Sequence, residues 1–268
     1  RRELAKAMQG RDRRRVPGDV LPQTPTGQAL ALADRRDSLV GIVAIGQPPT
    51  GDKDPFALRR AALGVIRICI EQQLDLDLEH LLQKAADDFN TDLQASSVVD
   101  AVFEYVMERL RGYYQETGVE ADLIEAVLAT RPTRLLDIDK RVQACRAFRA
   151  LPEAVSLAAA NKRIANILKK TDQAIPEKVD SNRLEEDAER RLADQLATLQ
   201  EQVSPLMAAG DYTPALKQLA ALREAVDTFF DKVMVMVDDD ALRANRLALL
   251  KNLSNLFLRV ADLSRLQS

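Results

Sequence analysis

The chain has 268 residues, enough for one large or two ordinary domains, and its 46% hydrophobic and 29% charged residues read as soluble and globular. One histidine, His80, and two distant cysteines, Cys69 and Cys145, exclude a His-based triad, a multi-His metal centre and a disulfide framework. The formal charge of −3 gives no overall pull toward nucleic acid, so an RNA site has to be a local basic patch.

Sparse glycine, absent tryptophan and abundant Leu, Ala, Glu, Asp and Arg favour helices over strands. No apolar run is long enough to span a bilayer and no signal peptide opens the chain, while unpaired cysteines fit a reducing compartment. A start at Arg1-Arg2-Glu3 rather than methionine suggests a piece of something longer.

From Arg1 to Gly18 the chain is crowded with arginine, either a basic arm for phosphate or a solvated helix end plus loop. Pro17, Gly18, Pro22, Pro25 and Gly27 mark a connector, after which Thr26 is expected to cap a helix from about Gln28 to Ile45. That helix carries Asp34 and Asp37. Gly46, Pro48 and Pro49 end it, and Asp54-Pro55 reads as the N-cap and first position of the next, lined by Leu58, Ala62, Val65 and Ile66.

Two further helices are expected between Asp75 and Gly118, the second with Val99, Val102, Phe103, Val106 and Leu110 at helical spacing. Its aromatics Phe103, Tyr105, Tyr113 and Tyr114 suit a core, though stacking on RNA bases is open to Tyr113 and Tyr114. After a short helix from Glu120 to Ala129, Arg131-Pro132-Thr133 breaks the pattern. The domain boundary is placed there, giving helical domains over 1–133 and 134–268.

In the second domain, Leu135 to Phe148 is helical, and another helix runs from Leu151 to about Lys170. Lys162, Asn166 and Lys169 or Lys170 recur on one polar face of it, with Asn161 and Arg163 alongside. Amides pair with base edges while lysines hold phosphate, so the face suits RNA; a merely solvated face is the alternative. An acidic helix follows from Leu184, with Leu192, Leu196, Leu199 and Val203 as its seam. Gly210 to Pro214 is a turn in which Thr213 is expected to cap and Pro214 to open the next helix.

Phe229-Phe230 then close a helix, Val233-Met234-Val235-Met236 forms an apolar loop, and Asp238-Asp239-Asp240 opens the last helix with Asp240 as the expected N-cap. Leu242, Leu249, Leu250, Leu253, Leu256 and Phe257 keep helical spacing, interrupted at Asn245-Arg246. Arg243, Arg246 and Lys251 are expected to point outward. From the residues alone the fold is all-α with two helical domains, and no phosphate loop, triad, dinucleotide fingerprint or zinc spacing is present.

The string from Phe229 to Leu266, with Asp240-Ala241-Leu242-Arg243 at its centre, resembles the anticodon-binding helices of the arginyl-tRNA synthetase kind. More narrowly it resembles the C-terminus of the bacterial glycyl-tRNA synthetase beta subunit. Gly46 to Arg60 and the helix from Leu151 to Lys170 resemble the same subunit, and the likeness extends from about Gly18 to Leu266. It implies a partial HD-like helical region followed by an anticodon-binding bundle. In an HD domain Asp34 or Asp37 would be the late metal ligand, but the preceding His elements are absent, so this reads as a remnant without phosphohydrolase activity.

The resemblance further implies a part of glycine–tRNA ligase with no catalytic or metal site of its own. The alpha subunit would carry the class II core with ATP and magnesium, in a cytoplasmic heterotetramer of two alpha and two beta subunits, with no membrane or DNA partner. The implied partner is glycine tRNA, gripped by Asn161, Lys162, Arg163, Asn166, Lys169, Lys170, Arg243, Asn245 and Arg246. The alternatives are a structural arm for subunit assembly and an HD-type hydrolase.

Overall fold

The computed structural model describes residues 21–49, 53–89 and 95–266, so the Arg-rich opening from Arg1 to Gly18 lies outside the described residues. Among those described, every extended element is helical and no strand forms. The chain divides into two compact units. Residues up to Val119 and Thr133–Asp139 belong to the first, Glu120–Pro132 and the residues from Lys140 onward to the second. The division therefore exchanges short segments around the 133/134 position at which the sequence breaks.

In the first unit α1 (Pro25–Ala44) packs on α2 (Leu58–Glu71), α3 (Leu78–Asp88) and α4 (Ala95–Glu116). Leu39, Val40, Val65, Ile66, Leu82, Val102, Phe103, Val106 and Leu110 are buried between them, following the apolar spacing of each helix. Two starts differ from expectation. Thr24, not Thr26, caps α1: its hydroxyl accepts from Gly27 N–H at 3.2 Å, which lets Pro25 take the first position, where a missing N–H costs nothing. Asp54 is not the adjacent N-cap of α2, because Ala57, with φ 56°, lies at that position. Its carboxylate instead reaches forward to the N–H groups of Leu58 at 2.8 Å and Arg59 at 3.0 Å, capping the helix from outside.

Asp77 ties the unit together. It caps α3 by accepting from His80 N–H at 3.0 Å and also accepts from the Thr133 hydroxyl at 2.7 Å. Burial alone would raise its pKa, but these bonds and the nearby Arg134 hold it below the usual carboxylate range.

The second unit contains α5 (Ala121–Leu128), the later part of α6 (Leu135–Arg149), α7 (Ala154–Lys169), α8 (Asp187–Ala208), α9 (Tyr212–Leu219), α10 (Arg223–Lys232) and α11 (Asp240–Leu258). α8 packs on α9, α10 and α11, and α7 packs on α10, α11 and the closing turn Leu263–Arg265. Gly210, at φ 75°, ends α8 in a left-handed turn in which Asp211 N–H reaches back to Leu206 C=O at 2.8 Å. α9 begins at Tyr212, so Thr213 and Pro214 lie inside it rather than capping it. The Tyr212 ring is buried under the Arg141 guanidinium at 4.7 Å, and this packing sets the start.

Helix α11 is the central helix of the unit. Every residue from Ala244 to Leu250 is buried, as expected of a helix with neighbours all round and not of one lying on a surface. Its cap is Asp239 rather than Asp240: the Asp239 carboxylate accepts from Ala241 N–H at 2.8 Å and Leu242 N–H at 2.9 Å. Those two bonds lower its pKa.

Candidate nucleic-acid interface

Helix α7 forms because Ala, Leu, Ile and Lys dominate it and its apolar residues repeat on one side, burying Ala154, Leu157, Ala158 and Ile164. The opposite side carries Lys162, Arg163, Asn166 and Lys169, with Lys170 as the C-cap, all exposed. Cations in and after the last turn also suit the negative end of the helix. Arg163 is anchored: its guanidinium lies 4.2 Å from the centroid of the Phe230 ring on α10. Ser156 donates to Asp227 at 2.6 Å one turn back along α10, which fixes how the two helices run together. Asn161 departs from the expected polar face. It is buried, and its amide donates to the Leu157 carbonyl at 2.9 Å, so it satisfies its own helix and meets no solvent.

The break in the apolar period at Asn245-Arg246 is a buried, paired polar layer. Both residues are only 4% exposed, so the expectation that Arg246 points outward is not met. Arg246 forms an ion pair through Nε with the fully buried Glu189 of α8 and donates from Nη1 to the Met234 carbonyl at 2.7 Å. The other oxygen of Glu189 accepts from the N–H groups of Glu185 at 2.7 Å and Glu186 at 2.9 Å. Asn245 makes a two-point clasp on one residue. It accepts from Asp180 N–H at 2.8 Å and donates to Asp180 C=O at 3.0 Å.

Arg243 is half-buried and committed as well. Nε donates to Gln173 at 3.1 Å, Nη1 to the Val237 carbonyl, and Nη2 pairs with Asp240. Gln173 in turn donates to Asp240 C=O at 3.0 Å. The first two turns of α11 therefore hold two loops, 171–186 and 233–239. The loop 171–186 follows the C-terminal end of α7, and its Gln173 meets Arg243 and Asp240 of α11, while Arg163, early in the C-terminal half of α7, meets Phe230 near the end of α10.

A family model described as the glycyl-tRNA synthetase beta subunit matches residues 1–129, and one described as the DALR anticodon binding domain matches residues 157–263, a range that runs from α7 through α11. The chain is 55% identical over 253 residues to the glycine–tRNA ligase beta subunit of Aeromonas salmonicida (strain A449), covering 94% of this chain and 37% of that protein. The chain belongs to the glycyl-tRNA synthetase beta subunit family. The beta subunits of Marinobacter nauticus and Escherichia coli O139:H28 are 54% and 51% identical over 265 residues, each match covering 38% of the relative. The chain thus spans little more than a third of the length of the beta subunits it matches.

In this beta-subunit chain the residues that sequence reasoning missed are the acceptors: Glu189, Asp180, Gln173 and the Met234 and Val237 carbonyls. The acidic stretch that opens α8 hides one inward carboxylate, Glu189, which reaches back to accept from the N–H of the N-cap residue Glu186. Elsewhere, Phe103 and Tyr114 are buried, and Tyr114 donates to Asp139 at 3.0 Å, which removes both from any base-stacking surface. Tyr113 is half-buried edge-on to Tyr114, with ring centroids 5.3 Å apart. Asp34 and Asp37 are exposed on α1, and among the described residues no group of three His, Cys, Asp or Glu side chains is placed to hold a metal ion. Nor is any described helix long and apolar enough to cross a membrane.

Proposed function

We propose that this chain is the tRNA-gripping part of a cytoplasmic glycine–tRNA ligase beta subunit. Residues 1–133 would end the HD-like region, and 134–268 would form the anticodon-binding domain. The observation that carries the reading is the exposed cationic side of α7, Lys162, Arg163, Lys169 and Lys170 around the Asn166 amide, inside a stretch that matches an anticodon-binding family. Lysines there hold phosphate of the anticodon stem, and the exposed Asn166 amide meets a base edge.

Arg243, Asn245, Arg246 and Asn161 serve the site as supports. Each is already engaged by protein acceptors or donors, so their part is to set the loops and helix that the RNA meets. Attachment of glycine with ATP and magnesium belongs to the alpha subunit, two copies of which assemble with two beta chains into the heterotetramer.

Binding of the chain to glycine tRNA and to the same tRNA with changed anticodon bases, over a salt series, tests this. A loss of about 1–3 kcal/mol per changed base above a salt-dependent background is expected. Equal affinity for all RNAs leaves phosphate gripping alone. No binding favours an arm that only assembles subunits.

A further inference from the structure

The loop between α10 and α11 alternates inward and outward. Val233 and Val235 are buried, while Met234 is 70% exposed and Met236 56% exposed. Two long apolar side chains held out from a well-packed unit require a reason, since single exposed apolar residues are ordinary but a paired display on an anchored loop is not. The loop is fixed from below: Arg246 donates to the Met234 carbonyl at 2.7 Å and Arg243 donates to the Val237 carbonyl. The backbone is thus held, and only the flexible thioether side chains are offered outward.

We propose that Met234 and Met236 form a ledge on which unpaired bases of the bound RNA rest, next to the Arg163–Phe230 stack. The proposal rests on the tRNA-binding reading above and names the residues that meet bases rather than phosphates. Three observations point to this occupant. Met234 and Met236 follow Phe230 by four and six residues along the chain, just past the end of α10, and Phe230 carries the exposed Arg163 guanidinium 4.2 Å from its centroid. The exposed Lys169 and Lys170 of α7 lie between Arg163, which meets Phe230, and Gln173, which meets Arg243, and with Lys162 they supply charge complementarity to a polyanion.

The loop itself then runs into exposed Asp238, Asp239 and Asp240, carboxylates that repel phosphate. The RNA backbone accordingly follows α7, and what reaches the loop is a base. Thioether sulfur contacts aromatic faces favourably and adapts to each of them, and RNA recognition commonly splays unpaired bases onto such surfaces.

The test is a two-by-two binding cycle by fluorescence anisotropy at fixed salt. The chain and its Met234→Ala/Met236→Ala variant are each titrated with a stem–loop RNA and with the same RNA carrying abasic loop nucleotides. Thermal midpoints are compared to confirm that two exposed truncations leave the fold intact. The variant is expected to bind the intact loop about 3- to 150-fold more weakly, the span of two sulfur–ring contacts. The abasic RNA should cost the wild-type chain a similar factor and the variant little more.

An unchanged affinity of the variant for the intact loop overturns the proposal and leaves the ledge to a protein partner. Equal binding of both RNAs by the wild-type chain overturns it too. A Lys162→Ala/Lys169→Ala variant separates the two claims: if it weakens both RNAs while the methionine variant weakens neither, the cationic face stands and the ledge falls. If neither variant changes binding, both fall.

Discussion

Replacing Arg246 with alanine removes the charge partner of a carboxylate that is completely buried. Glu189 keeps its two backbone N–H donors on one oxygen, but the other loses its only described partner, and the Met234 carbonyl loses its donor. Breaking one half of a buried ion pair costs about 3–5 kcal/mol, because the remaining charge stays desolvated without compensation. For a chain of this size that corresponds to a fall in Tm on the order of 10 °C.

Urea denaturation followed by far-UV circular dichroism reads the free energy, and a thermal scan reads the midpoint. Adding Glu189→Gln to Arg246→Ala should recover a good part of the loss. The neutral amide oxygen still accepts the two N–H groups and no buried charge is left. Lysine at 246 should recover little, since one ammonium cannot reproduce the diverging Nε and Nη1 bonds. A cost below about 1 kcal/mol for Arg246→Ala, the range of an exposed pair, would refute the assignment of this residue as a buried strut.

Other expectations follow from the same geometry. Thr24→Ala should cost about 1 kcal/mol as the loss of a true N-cap, while Thr26→Ala should be close to neutral, and urea midpoints distinguish them. Burial pushes the thiols of Cys69 and Cys145 up to about 12, so neither should react with an alkylating reagent at pH 8 until denaturant is added, as mass spectrometry would show. Asp77 and Asp239 have folded-state pKa values below the ordinary carboxylate value. The stability they contribute is complete above that value and is lost as pH falls through the folded pKa. Asp77→Asn and Asp239→Asn should therefore flatten the acid limb of the stability profile below about pH 4.

Much of the architecture was legible in the sequence because apolar spacing is a direct report of which side of a helix is buried. The seam of α11 from Leu249 to Phe257 and the stripe through Leu216, Leu219, Leu222, Val226 and Phe229 are buried as their spacing implies. The exposed lysines of α7 were legible for the same reason. The errors share a cause. A polar residue in an apolar helix was read as facing water, whereas Asn245 and Arg246 lie in a layer whose partners, Asp180 and Glu189, are 65 and 57 residues away. No local pattern reports such a pairing.

The caps failed on a smaller scale. Among Thr24 and Thr26, or Asp239 and Asp240, neighbouring residues of equal capping ability compete, and the packing of the helix decides which one is used. Asp54 shows a further route, capping from several residues away through a left-handed Ala57.

The central claim is that the exposed side of α7 holds RNA phosphate. It is tested most directly by the salt dependence of glycine tRNA binding for the chain and for a Lys162→Ala/Lys169→Ala/Lys170→Ala variant. The slope of log K against log salt should become shallower by about 2 to 3, near one unit per phosphate contact removed, with the thermal midpoint unchanged. An identical slope and affinity in the two proteins would contradict the account.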